Sequence, residues 1–345
     1  MADTDLDEEV TLAPAVAPML ERAEAAWLSP VRERLAALRQ QGRLPHGLLV
    51  AGAPGAGQAE VSAWLAALLL CRRPGAGSCG QCADCKLLRA GNHPDFHWIG
   101  VLTDKKEISI DQVRRLSESL SMRSYRGGAK VAVIAPAEAM NRFAFNSLLK
   151  TLEEPAGDTY LVLAAGRVDR VPKTILSRCM RLHLPLPTAR EALAWLSCVP
   201  GKHSWPELLA LAGDAPFLAV DYAEEGLEGL DGEMQAAIDA AVEGKLDFVA
   251  FAEACAKNSP AARLAWLESW LTRSLKDAAL ASDLVNDNRL PWLRPPGVDT
   301  KIRAGFGLLD QLRDARRLVG GSLNTQLLFE GLSISLAALV GPPAR

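Results

Sequence analysis

Four cysteines lie close together in the first third of the chain, at a spacing that suits a metal ion. They follow the pattern Cys71-x7-Cys79-x2-Cys82-x2-Cys85. Zinc prefers four soft ligands in a tetrahedron, and a tight C-x2-C turn presents two thiolates to one ion. Because cysteine fills all four positions, no open position remains for catalysis. The spacing therefore predicts one structural Zn²⁺ held by Cys71, Cys79, Cys82 and Cys85. His93 and His97, further along the chain, are the less favoured alternative ligands.

A glycine loop, Gly52-Ala-Pro-Gly55-Ala-Gly57-Gln58-Ala59, follows a short apolar run. A working P-loop has the form GxxxxGK[ST]; its lysine meets the β- and γ-phosphates and its hydroxyl ligates Mg²⁺. Gln58 carries no charge to offset a triphosphate, and Ala59 cannot bind a metal. The loop is therefore predicted to be a degenerate P-loop, with no functional nucleotide-binding residue among Gly52, Gly55, Gly57, Gln58 and Ala59 and no ATP bound.

A second nucleotide-binding element, the Walker B strand, also lacks its functional residues. The apolar run Val131–Ile134 has the position of a Walker B strand, which normally ends in acids that hold Mg²⁺ and position water. Here it ends in Ala135 and Pro136, and the nearest acid, Glu138, falls two positions past that slot. The chain is therefore not expected to hydrolyse ATP.

Charge and composition exclude several classes of protein. The formal net charge of the 345 residues is −3, which gives no overall sign of a nucleic-acid binder. No apolar run approaches the length of a membrane span. The acidic start of the chain lacks the basic and apolar regions of a secretory signal. A cytoplasmic location is expected, and in that compartment clustered cysteines point to a metal rather than to disulfides.

Alternating strands and helices place these motifs. Apolar runs at 47–52, 96–101, 130–135 and 159–165 are typical of buried strands, and helical patterns lie between them. This order predicts an α/β fold with a mainly parallel sheet covered on both sides. The glycine loop then joins the first strand to a helix, and the cysteines form an insertion after that helix. Beyond residue 187 only helical patterns occur.

Two further motifs resemble those of one family. Asn146-Ser-Leu-Leu-Lys-Thr-Leu-Glu-Glu-Pro155 resembles the signature helix of bacterial clamp-loader subunits of the AAA+ family, and Thr174-Ile-Leu-Ser-Arg-Cys179 resembles their SRC motif. Shorter matches occur at 27–30, 92–95 and 127–131. The resemblance runs in order from about Trp27 through Cys179 and continues more weakly to the C-terminus.

The resemblance implies a non-catalytic subunit. The family's active ATPases, the gamma/tau subunits, have an intact P-loop and Walker B acids, a polar sensor residue where this chain has Ala165-Gly166, and a sensor arginine near Pro216. The motif that keeps its chemistry is Ser177-Arg178-Cys179. The resemblance implies that Arg178 acts in trans as a catalytic arginine finger on the ATP of a neighbouring subunit, since a guanidinium stays charged and binds phosphate oxygens in a fixed fork. Lys150 and the Glu153-Glu154-Pro155 end of the signature helix are either interface groups or a solvated helix end.

The same resemblance implies partners and domains. The partners expected are gamma/tau and delta subunits in a pentameric ring, with the sliding clamp and primed DNA reached through that complex; no membrane contact is expected. The AAA+ P-loop-type sheet with its zinc insert is expected to precede a helical lid and an all-helical C-terminal collar. The predicted boundaries are a disordered extension at 1–23, the AAA+ domain at 24–186 with the zinc module at 71–85, the lid at 187–228 and the collar at 229–345.

Two alternatives stay open at this stage. The first is an active clamp-loader ATPase of gamma/tau type, against which Gln58 and Ala59 argue. The second is a zinc-dependent DNA-binding protein, which requires a basic recognition helix beside the cysteines. Few cations lie there, and an acid, Asp84, stands among them; the cations are Arg72, Arg73, Lys86 and Arg89.

Overall fold

The computed structural model describes residues 16–103, 105–280, 298–319 and 324–341. These residues form two compact units, one of residues up to 198 together with 215–218, the other of 199–214 together with the chain from 219 onward. The division into an AAA+ domain, a lid and a collar at the predicted boundaries remains a prediction. None of the described helices is long and apolar enough to cross a membrane.

The first unit is built on a five-stranded sheet, with strand order β2-β3-β4-β1-β5 and every pairing parallel. Strands β1, β3 and β4 lie inside the sheet, and almost all of their residues are buried. The strands are β1 (Gly47–Ala51), β2 (Phe96–Ile99), β3 (Lys130–Ile134), β4 (Thr159–Ala165) and β5 (Met180–His183). The four strands predicted from apolar runs are confirmed, and β5 is one more than predicted.

Helices cover both faces of this sheet. On one face, Leu48, Val50 and Val162 pack with an almost wholly buried helix, α3; on the other, Leu49, Ala132 and Leu161 pack with α5 and α6. The helices of this part of the chain are α1 (Val16–Arg22), α2 (Ser29–Gln40), α3 (Gln58–Leu70), α4 (Ala83–Arg89), α5 (Ile110–Ser121), α6 (Arg142–Glu153), α7 (Lys173–Leu176) and α8 (Ala189–Leu196). Side chains alternating to opposite faces of each strand separate the two cores.

The N-terminal extension differs from expectation. Disorder is wrong for residues 16–22, which form helix α1. Val16 and Leu20, spaced by one helical turn, are buried in the core that contains α3. The acidic start of the extension, residues 1–15, lies outside the described residues.

The remainder of the described chain is helical. Leu264, Leu267, Leu271 and Leu275 form one apolar stripe on a helix, and all are at most 5% exposed. The helices are α9 (Trp205–Leu211), α10 (Pro216–Glu224), α11 (Leu230–Val242), α12 (Phe248–Lys257), α13 (Pro260–Leu280), α14 (Val298–Leu318) and α15 (Thr325–Val340). A parallel sheet with a cysteine insert and a helical C-terminal region confirms the predicted α/β fold.

Candidate functional site

The four predicted cysteine ligands converge on one point. The sulfur atoms of Cys71, Cys79, Cys82 and Cys85 all lie within 4.8 Å of one another. Four thiolates at 2.3 Å from one tetrahedral zinc ion are about 3.8 Å apart. The Sγ atoms of Cys79 and Cys85 are 3.9 Å apart. The donor set and its spacing thus fit a metal ion such as zinc.

Backbone N–H groups point at the cysteine sulfur atoms and stabilise negative charge on them. The N–H of Cys79 points at the sulfur of Cys71 at 3.2 Å, and the N–H of Cys82 points at the sulfur of Cys79 at 3.4 Å. Hydrogen bonds from the backbone of Gln81 and Cys82 lower the pKa of the Cys79 thiol to about 6. Burial raises the pKa of Cys85 and of Cys71. These backbone hydrogen bonds therefore favour the thiolate form of Cys79, which is the form that binds a cation.

The two histidines considered as alternative ligands lie outside the sulfur cluster. His93 is buried; its Nδ1 accepts from the backbone N–H of Asp95 at 3.1 Å, and its Nε2 lies 3.3 Å from a carboxylate oxygen of Asp84. Burial lowers the pKa of both His93 and His97. His93 is thus a buried group and His97 a half-buried residue of β2, and neither is among the clustered sulfur ligands.

Asp84 ties the cysteine insert to the segment between α5 and β3, a role that the sequence reasoning missed. Its carboxylate, 2% exposed, accepts from Arg126 Nε at 2.8 Å and from Arg72 Nε at 2.9 Å. Burial alone would raise the pKa of Asp84, but the hydrogen bonds from Arg126 and Arg72 outweigh it and hold that pKa below its usual value. The available signal was an acid inside the cysteine motif with an arginine directly after Cys71.

We expect Asp84→Asn to destabilise the metal-replete protein by about 2 kcal/mol, because an amide cannot balance two guanidinium groups. The free energy of unfolding from urea titration measures this. Asp111→Asn removes an acid whose side chain is 70% exposed, and it should change stability by at most about 0.5 kcal/mol. Equal effects of the two substitutions would contradict a structural role for Asp84.

The glycine loop has its predicted position between β1 and α3, but the chain itself fills the space beside it. A Cβ added at Gly55 would lie 2.4 Å from the Cβ of Leu218, and one added at Gly57 would lie 2.9 Å from the ring of Phe217. Gly55 and Gly57 have φ of 77° and 111°, the left-handed region that favours glycine. The glycines of this loop therefore leave room for the side chains of Phe217 and Leu218.

Side chains beside the glycine loop form hydrogen bonds with the chain's own backbone. Gln58, in the place of the P-loop lysine, donates from Nε2 to the carbonyl of Ala53 at 2.7 Å. Glu138 accepts from the N–H of Gly166 at 2.9 Å, directly after β4. Burial raises the pKa of Glu138. An aromatic cluster of Trp27, Trp195 and Phe217, with ring centroids 5.0–5.7 Å apart, packs beside the loop.

Arg178 lies between α7 and β5 with its side chain 37% exposed. Its Nε and Nη2 atoms approach Oε1 of Glu153 at 2.7 and 2.5 Å, and Nη1 donates to the carbonyl of Thr174 at 3.0 Å. The structure thus brings together the SRC motif and the end of the signature helix α6.

Comparisons with known proteins give a family model, curated relatives and a solved structure. The family model described as DNA polymerase III, delta subunit, matches residues 28–188. The chain is 34% identical to DNA polymerase III subunit delta' of Pseudomonas aeruginosa over 86% of this chain and 93% of that protein. It is 33% identical to the subunit of the same name from Escherichia coli over 92% of this chain and 96% of that protein. A solved DNA polymerase III gamma subunit-related protein of Thermotoga maritima aligns at 18% identity, covering 89% of this chain and 99% of that one, with a TM-score of 0.43.

Proposed function

The chain belongs to the family of DNA polymerase III subunit delta', and from that membership we propose that it is a non-catalytic subunit of a bacterial clamp loader. In this role it helps to load the sliding clamp onto primed DNA during replication. It binds no ATP of its own and supplies Arg178 to the ATP site of a neighbouring subunit. The observation that carries the proposal is the contrast between its closed glycine loop and its exposed arginine.

The closed loop supports the loss of the chain's own ATP site. Electrostatic stabilisation of the phosphates dominates phosphoryl transfer, and in P-loop enzymes lysine, Mg²⁺ and acids supply it. Here Gln58 is bound to Ala53, and Phe217 and Leu218 stand against the glycines. A nucleotide would have to displace packed apolar side chains to reach a loop that offers no cation.

The exposed arginine supports action on a neighbour. Arg178 and the chain's own glycine loop lie at opposite ends of β1. Arg178 precedes Met180, which pairs with Leu48 near the start of β1, whereas the loop follows Ala51 at its end. Arg178 therefore cannot serve the chain's own loop. An arginine guanidinium binds phosphate oxygens in a fixed planar fork. A charged fork at the protein surface can reach a phosphate that another subunit binds.

The cysteine cluster supports a structural zinc. Cys71, Cys79, Cys82 and Cys85 would hold the ion, which supplies no chemistry beyond folding energy because no ligand position is left open. The insert is short, and its own helix α4 has only seven residues. An insert of this size has too small an apolar core to be stable by itself, so metal binding supplies its folding energy.

Assembly tests the proposed function. Mixing the purified chain with gamma/tau-type and delta subunits should give one ring-sized complex whose ATP hydrolysis rises with the sliding clamp and primed DNA. The isolated chain should not hydrolyse ATP. Gln58→Lys combined with Ala59→Thr should not restore hydrolysis, because Leu218 still occupies the space beside Gly55 and no Walker B acid is in place.

The readouts are size-exclusion chromatography and phosphate release, with Ser119→Ala, at an exposed position of α5, as a handling control. Turnover by the isolated wild-type chain that survives further purification would contradict the assignment as non-catalytic. A mixture in which the chain stays outside the complex would contradict its role as a subunit.

A further inference from the structure

The end of helix α6 and the segment before β5 carry an ion pair whose two members are anchored independently. Glu153 is the last residue of α6, and Arg178 stands two residues before β5. The residue before Glu153, Leu152, is 2% exposed, and the residue after Arg178, Cys179, is 9% exposed; both belong to the core that fills one face of the sheet. Burial of these neighbours fixes the backbone at both positions.

Gly47 brings the two anchors together at the start of β1. A Cβ at this position would lie 3.0 Å from the carbonyl oxygen of Arg178, 3.2 Å from the Cδ2 atom of Leu152 and 3.7 Å from the sulfur of Cys179. The ring of His46 also bonds to the carbonyl of Leu152 at 2.7 Å. The helix end and the SRC segment therefore meet over one glycine, with little freedom to shift relative to each other.

Only one edge of the Arg178 guanidinium is engaged by the acid. Nε and Nη2 face Oε1 of Glu153, whereas Nη1 donates to the carbonyl of Thr174 and lies 3.3 Å from the hydroxyl of Ser177. These contacts hold the planar group on two sides. A guanidinium carries five N–H donors, so donors remain on the Nη end for a phosphate oxygen.

We propose that Glu153 is a positioning residue for Arg178, which rests on the function proposed above. A free arginine side chain samples many rotamers, and ordering it costs conformational entropy when it engages a ligand. Glu153 confines the guanidinium before the neighbouring subunit presents its ATP, so less entropy is lost at that step. The pair adds little to folding, because both side chains are partly exposed, at 37% and 50%.

The effect of Glu153 should be on turnover and not on ATP affinity. The neighbouring subunit supplies the ATP-binding loop, so KM for ATP should stay unchanged while kcat falls when the arginine is misplaced. At the site next to this chain, Glu153→Ala should lower kcat by about tenfold, a typical cost of losing orientation at one group. Glu153→Gln keeps an oxygen that can accept from Nε, and it should retain most of the activity.

The test compares assembled complexes carrying Glu153→Ala, Glu153→Gln, Arg178→Ala and the double substitution Glu153→Ala with Arg178→Ala, with saturating clamp and primed DNA. Glu154→Ala is the matched control, because it removes the same charge from the next, exposed residue. Positioning predicts that Glu153→Ala lowers kcat in the presence of Arg178 and has no further effect in its absence. Glu154→Ala should behave as wild type.

Three results would overturn the inference. If Arg178→Ala lowers kcat and Glu153→Ala does not, the pair is an ordinary surface contact and the proposed function stands. If Glu153→Ala raises kcat, the acid restrains the arginine instead of positioning it. If Arg178→Ala itself has no effect, the proposed function fails and the role of Glu153 fails with it.

Discussion

Arg178→Ala is expected to lower ATP hydrolysis at the neighbouring site by roughly a thousandfold or more, the range found for arginine fingers in GTPases. Negative charge shifts onto the leaving phosphates in the transition state. A guanidinium supplied in trans stabilises that charge more strongly than water does. In a ring with several ATP sites, only the site next to this chain loses its finger. Total hydrolysis and clamp loading should therefore fall by less than the single-site rate.

Folding should not change in this variant. The Arg178 side chain is partly exposed and its ion pair with Glu153 lies at the surface, so its removal should shift the free energy of unfolding by at most about 1 kcal/mol. Arg178→Lys should rescue activity poorly, because an ammonium group is a point charge that cannot reproduce the fork. Arg114→Ala, which removes a 62% exposed arginine from α5, is the control. Equal loss of activity in both alanine variants would indicate a general charge effect.

The second large effect concerns the cysteines. Cys85→Ser should abolish tight metal binding and destabilise the chain by at least about 5 kcal/mol, since structural zinc sites contribute on the order of 10 kcal/mol to folding in small domains. Cys85 is buried at the start of α4, so losing the metal also releases that helix from α3. Metal analysis should find about one zinc per wild-type chain and almost none in the variant.

The control for the cysteine variant is Cys198→Ser, since Cys198 is exposed. It should leave both metal content and melting temperature unchanged. Wild-type protein that has never met a chelator and yet contains no zinc would contradict the metal site. A melting temperature for Cys85→Ser equal to that of wild type would show that the insert folds without metal.

Local sequence patterns predict the parts of this molecule that depend on near neighbours. The cysteine cluster follows from C-x2-C spacing, because ligands within fifteen residues need only tight turns to meet. Strands β1, β3 and β4 follow from apolar runs because both of their faces are buried. Strand β5 was missed because only Leu182 of its four residues is buried, and an edge strand with polar side chains lacks the apolar signal.

Contacts between distant segments could not be predicted in this way. Glu153 and Arg178 are 25 residues apart, and they meet only because β5 lies beside β1 at the edge of the sheet. Leu218 reaches Gly55 across more than 160 residues of chain, and no local pattern predicts that contact. Asp84 was noted in the sequence only as an acid among the cations beside the cysteines, because its partner Arg126 lies 42 residues further along the chain.

One measurement tests the central claim most directly. A ring of defined composition is assembled in which the ATP site facing this chain is intact and every other ATP site carries a disabled P-loop lysine. Single-turnover hydrolysis of radiolabelled ATP is then followed with saturating clamp and primed DNA, for wild type and Arg178→Ala. We predict that both rings bind ATP equally and that the Arg178→Ala ring hydrolyses it roughly a thousandfold more slowly. Equal single-turnover rates would contradict the claim that this chain completes its neighbour's ATP site.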